Sequence, residues 1–128
     1  MKKTTIFMAV LVILCAASIA IAEENISGIW VFEGSGAANA QMILAQSGNK
    51  VQVVGYFEVN GTPYVWYGSG TLRGNALEYS VIYSKNPDPG NGPNGKHLMT
   101  LSADGKTVTG KWYNNYGNSG TSSYVKQK

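Results

Sequence analysis

The sequence predicts an all-β protein: an eight-stranded antiparallel up-and-down meander barrel, preceded by an N-terminal signal peptide. Three observations predict it. From Ile26 onward, short β-prone runs alternate with Gly- and Asn-rich turn signals. No stretch sustains the i, i+3, i+4, i+7 apolar stripe of a helix. Most joints are too short for anything but antiparallel neighbours, and a meander of this length hides its edges best by closing on itself.

Residues 1–22 come first. Lys2 and Lys3 precede an apolar run from Ile6 to Ala22, which ends on Ala20-Ile21-Ala22 before Glu23 and Glu24. A basic start, a hydrophobic stretch and small residues three and one before a cut make a secretory signal. The expected working domain is 23–128, in the periplasm or outside the cell. Contact with a membrane is expected only through an uncleaved signal, whose apolar run is at the lower edge of spanning length. Cys15, the only cysteine, lies in this segment and follows Leu14, where a lipoprotein signal wants a small residue. The mature domain thus has no disulfide and must rely on burial and a closed hydrogen-bond ladder. Removing the signal takes Lys2 and Lys3 from ten basic residues and none of the seven acids, so the net charge falls from +3 to about +1. That balance excludes the dense basic footprint of a nucleic-acid binder.

The predicted strands are Gly28–Glu33, Ala40–Gln46, Lys50–Val59, Tyr64–Arg73, Ala76–Ser84, His97–Ser102, Thr107–Asn114 and Thr121–Lys126. Ser47-Gly48-Asn49, Asn60-Gly61, Gly74-Asn75, Ala103-Asp104-Gly105 and Gly117-Asn118 supply the turns, because Asn and Gly tolerate the positive φ of tight hairpins. Alternation assigns the faces. Val53, Gly55, Phe57 and Val59 oppose Gln52 and Glu58; Tyr79, Val81 and Tyr83 oppose Glu78 and Ser80; Val108, Gly110 and Trp112 oppose Thr107, Thr109 and Lys111. Met99 and Leu101 fit the inner face of the sixth strand. In the fourth, Tyr64, Trp66 and Leu72 are placed inward, although Val65 and Tyr67 give the other face an apolar character too. Glycines inside strands (Gly55, Gly68, Gly70, Gly110) mark bends or close approaches of another group. The connection Lys85–Lys96 is the long one, without an apolar anchor apart from proline; it is either a solvated hairpin tip or a contact loop.

Catalytic chemistry is sparsely supplied. His97 is the sole histidine and has no cysteine to share a zinc site; Glu33, Glu58, Glu78, Asp88 and Asp104 are scattered without metal-loop spacing. No serine sits in a Gly-x-Ser-x-Gly elbow. The reading is non-enzymatic, with no cofactor and no metal. Aromatic residues are the richer signal. Tyr64, Trp66, Tyr79 and Tyr83 fall on the central strands, and His97 re-enters from the long connection that Tyr83 leads into. These five either ring one barrel mouth as a ligand site or fill a narrow interior. Tyr113–Ser119 forms a second cluster, of aromatic and amide groups, that suits a sugar, a protein surface or an ordinary turn.

Ser27-Gly28-Ile29-Trp30 puts a Gly-x-Trp on the first strand, and Thr109-Gly110-Lys111-Trp112 repeats it near the end. With Gly34-Ser35 and Gly55-Tyr56-Phe57, this pattern across 23–128 resembles the calycins, the lipocalin and avidin-like barrels. The resemblance implies a structural role for Trp30 as a plug at the closed end, with Lys126 of the last strand over its ring, and a structural role for Trp112. The Asn that follows the first Trp in avidins is missing here, and Ser35 is the one match to a biotin-contacting residue; lipocalins are substantially longer. The expected function is an exported binding barrel for a small apolar or aromatic ligand. The alternative is a secreted protein-interaction or protease-inhibitor barrel acting through the 85–96 loop. A filled interior and an exposed apolar patch beside that loop would favour the alternative.

Overall fold

The computed structural model describes residues 25–34, 38–84 and 94–128. The expected signal peptide, 1–22, Ser35 and positions 85–93 of the long connection lie outside the described residues. Eight strands run in chain order: β1 (Gly28–Phe32), β2 (Ala38–Ser47), β3 (Lys50–Val59), β4 (Thr62–Arg73), β5 (Ala76–Tyr83), β6 (Asn94–Leu101), β7 (Thr107–Asn114) and β8 (Ser119–Lys126). Each pairs antiparallel with the next, and β1 pairs with β8 to close the barrel.

Turn chemistry sets the register. Asn60 and Gly61 both have positive φ (50° and 78°), as a two-residue type I′ turn requires, so Val59 pairs with Thr62 and Phe57 with Tyr64. Gly48-Asn49 and Gly74-Asn75 are also two-residue turns, with positive φ at the glycine alone (60° and 59°), and they pair Ser47 with Lys50 and Arg73 with Ala76. The closing seam is the shortest: Trp30, Val31 and Phe32 pair with Lys126, Val125 and Tyr124. Backbone bonds from Glu33 to Ser123 and from Gln127 to Ile29, each 2.8 Å, extend it at either end.

The faces predicted for β3 to β7 hold, including β4, where Tyr64, Trp66 and Leu72 are buried while Val65 and Tyr67 face out. Boundaries differ most at β6. It begins at Asn94, three residues before the predicted start, because Asn94, Gly95 and Lys96 pair with Ile82, Val81 and Ser80. The long connection is correspondingly shorter than Lys85–Lys96. Polar side chains that face water on one side of a ladder look like loop in a sequence, and here they are strand.

The interior has two levels and two ends. Trp30, Leu44, Val51, Leu77 and Val108 are packed at the closed end, with Ile26 drawn across it. Gln46 Oε1 accepts from the Ile26 amide (2.9 Å) and Ser27 Oγ accepts from the Gln46 amide (2.8 Å), so the segment before β1 is stitched over the opening. The opposite end carries Phe57, Tyr64 and Tyr83. Large rings fit because glycines face them: a Cβ on Gly55 would fall onto the Trp66 indole, and one on Gly120 onto that of Trp112. At Gly68 and Gly70 it is the β5 backbone that comes close, so the barrel wall is pinched there.

Gly55→Ala should therefore lower stability by about 1–3 kcal/mol through overpacking, or roughly 4–8 °C of melting temperature per kcal/mol. Thermal unfolding checks this; an unchanged midpoint would mean that the indole is not held over the glycine.

Candidate functional site

The β3–β4 hairpin builds the mouth. With Phe57 opposite Tyr64, their rings stack at 5.2 Å between centroids and 20° between planes. Tyr83, at the end of β5, meets the edge of Phe57 at 6.5 Å and 86°. Tyr64 is buried, whereas Phe57 and Tyr83 are half-buried against the core. Burial pushes the Tyr83 phenol above its ordinary range, so it is neutral at physiological pH.

Beneath this rim lies a stack of three nearly parallel rings. Tyr79 and His97 are 4.6 Å apart at 14°, Trp66 and His97 5.4 Å at 17°, and Trp66 and Tyr79 6.0 Å at 4°. Tyr79 and His97 are cross-strand partners, and Trp66 reaches them from β4 by leaning over Gly55. The Tyr79 hydroxyl donates to Met42 Sδ at 3.6 Å. Desolvation raises the Tyr79 phenol well above its usual value. The same cause lowers His97 to about 4, so the imidazole is neutral. His97 Nδ1 is buried with no hydrogen-bond partner, a cost of about 1–3 kcal/mol. The ring is positioned by stacking.

The closed end carries the structural residues. Trp30 is fully buried and its Nε1 donates to the Ile26 carbonyl at 3.0 Å. Lys126 Nζ lies 5.7 Å from the indole centroid and donates to the Asn25 carbonyl at 2.9 Å. That distance is within cation–π range. Trp112 is not at this end: half-buried, it lies level with the ring stack, pairing with His97 on one side and with Gly120 on the other.

Of the five residues read as ligand-binding, the structure thus puts Tyr64 and Tyr83 at the mouth and Trp66, Tyr79 and His97 one level deeper as its floor. His97 sits deeper than a residue entering from a loop because β6 starts at Asn94. The mouth residue absent from the sequence-derived set is Phe57, although the two-residue turn at Asn60-Gly61 already places it opposite Tyr64. Among the described residues, no group of three His, Cys, Asp or Glu side chains could hold a metal ion.

Two outcomes are expected. Lys126→Ala should cost about 0.5–1 kcal/mol, seen as a lower melting temperature; an unchanged value would remove the cation–π contact from the account. For His97 the folded value is below the ordinary 6.5, so the unfolded chain binds the proton more readily. Stability is then full above pH 6.5 and falls as the pH drops to about 4. The loss amounts to roughly 3 kcal/mol. His97→Phe keeps a flat ring and should flatten that part of the stability–pH curve; equal slopes in the two proteins would show that His97 is not buried neutral.

No protein-family model, curated protein or solved structure matches this chain, so its functional reading rests on the closed barrel and the rings at its mouth.

Proposed function

We propose that this protein is an exported, non-enzymatic binding barrel of calycin type that takes a small, flat apolar or aromatic ligand at its open mouth. The observation that carries the reading is the half-buried pair Phe57 and Tyr83, left at the barrel end above a floor of stacked rings. Flat rings with exposed faces favour offset or edge contacts with another ring, worth about 0.5–1.5 kcal/mol each beyond the area buried. The filled midsection makes the site a shallow cup, which suits a ligand of one or two rings better than a long acyl chain. The calycin likeness is supported by Trp30 beneath Lys126 at the closed end. The apolar lumen is the reverse of a membrane-spanning barrel, whose interior is polar.

A second reading has its own support. The stacked midsection, together with exposed Tyr67, Ile82 and Tyr113 beside the ends of the long connection, favours a protein-interaction barrel acting through the 85–96 loop. These residues flank an outer groove of about 520 Å³ that also includes Asn94 and Lys96.

Tryptophan fluorescence separates the two. With a panel of phenols, indoles and small aromatic heterocycles, saturable quenching is expected, and Tyr83→Ala should weaken it about tenfold, equivalent to about 1.4 kcal/mol. Emission that no member of the panel alters would retire the ligand reading and leave the protein-interaction one.

A further inference from the structure

The outer wall carries a pattern that neither the mouth nor the core explains. Ile29 of β1 pairs with Ile43 of β2, Ile43 with Val54 of β3, Val54 with Tyr67 of β4, and Tyr67 with Ile82 of β5. All five face out and are 46–53% exposed. Single exposed apolar residues are ordinary, but a registered run across five consecutive strands is a contiguous patch. The rows on either side are neutral: Gln41, Tyr56 and Val65 towards the mouth, and Ala45, Gln52 and Ser69 towards the closed end.

Along the central strand of the five, charge returns only at the two ends. Strand β3 is the middle of the five, and its outward residues are Lys50, Gln52, Val54, Tyr56 and Glu58. Val54 is the midpoint, with a cation four residues to one side and a carboxylate four residues to the other. Glu58 is held ready: its oxygens accept from the Tyr56 hydroxyl (2.6 Å) and from Asn39 Nδ2 (2.8 Å), and these bonds keep the carboxyl below its usual range. Turning a second copy about a two-fold axis laid along the apolar row sets Val54 on Val54. It also sets Lys50 of each copy against Glu58 of the other. A surface of this kind is complementary to itself, as an isologous interface requires.

We infer that this protein forms a two-fold homodimer through the outer face of β2–β4, with the barrels antiparallel, Val54 on the axis and Lys50–Glu58 pairs at both ends. The wall is convex, so β2, β3 and β4 make the contact while Ile29 and Ile82 form its shoulders. Strand spacing of about 4.8 Å and a rise of about 3.4 Å per residue give this face about 500 Å² per copy. The total, about 1,000 Å², is at the low end for specific association. The dimer is therefore weak, with dissociation in the micromolar range, and its rim pairs make it weaker in salt.

Sedimentation velocity of the purified protein from about 1 μM to about 1 mM, a span of about 4 kcal/mol in affinity, tests this. A reversible monomer–dimer equilibrium is expected. Val54→Lys and Lys50→Glu should each weaken it about tenfold or more without changing the far-ultraviolet spectrum, and Lys50→Glu with Glu58→Lys should restore it. A monomer at every concentration, as a face kept for a different protein would give, overturns the inference. So does a dimer that Val54→Lys leaves intact, and a charge swap without rescue overturns the antiparallel arrangement.

Discussion

The Trp66 indole occupies the space that a side chain on Gly55 would need, and the organisation of the interior follows from that one contact. Because the ring can lie flat against the β3 wall, it reaches across to His97 and Tyr79 and completes a stack of three. Because the stack fills the middle of the barrel, the space that a wider barrel would give to a deep ligand is taken by protein. The rings at the mouth are what remains. A small barrel cannot both hold three large rings at one level and keep a full side chain at every inward position. Gly55 of β3, against Trp66, and Gly120 of β8, against Trp112, are where that conflict is resolved.

The two ends differ in how their polar groups are satisfied. At the closed end every group in view has a role: the Trp30 ring nitrogen donates to Ile26, the Ile26 amide to Gln46, and the Lys126 ammonium to Asn25 while lying over the indole. In the midsection, stacking prevails over hydrogen bonding. His97 keeps Nδ1 unpaired and gives up its charge, and the buried phenol of Tyr79 has only a thioether as acceptor. The closed end is thus held by hydrogen bonds, whereas the level beneath the mouth is held by stacked rings at a cost in desolvation.

Much of this was legible in the residues. Two-residue turns settle register without a structure: Asn60-Gly61 puts Phe57 opposite Tyr64 and Gly74-Asn75 puts Tyr67 opposite Ile82, whereas Ser47, read from the sequence as part of its turn, pairs with Lys50 and so sets Ile43 opposite Val54. Alternation then separates inside from outside. What alternation cannot supply is height along the barrel axis. His97 looked like a mouth residue because Asn94, Gly95 and Lys96 carry no apolar side chain, yet a strand whose outer face is wet needs none. Nor does a single sequence show that Trp66, rather than Tyr64, bends towards His97; that depends on Gly55 being its neighbour across the hairpin.

The seam between β1 and β8 brings the first and last described residues to the same end of the molecule, where Gln127 donates to the Ile29 carbonyl and Lys126 reaches back to Asn25. Strands of ten residues such as β3 separate that end from the rim by roughly 30 Å. A short peptide could join Asn25 to Lys128, and new ends could be opened at the Asn60-Gly61 tip without cutting the seam. Attached to a bead, a fusion partner or a cell surface through Lys128, the barrel would stand with Phe57, Tyr64 and Tyr83 pointing away from the support.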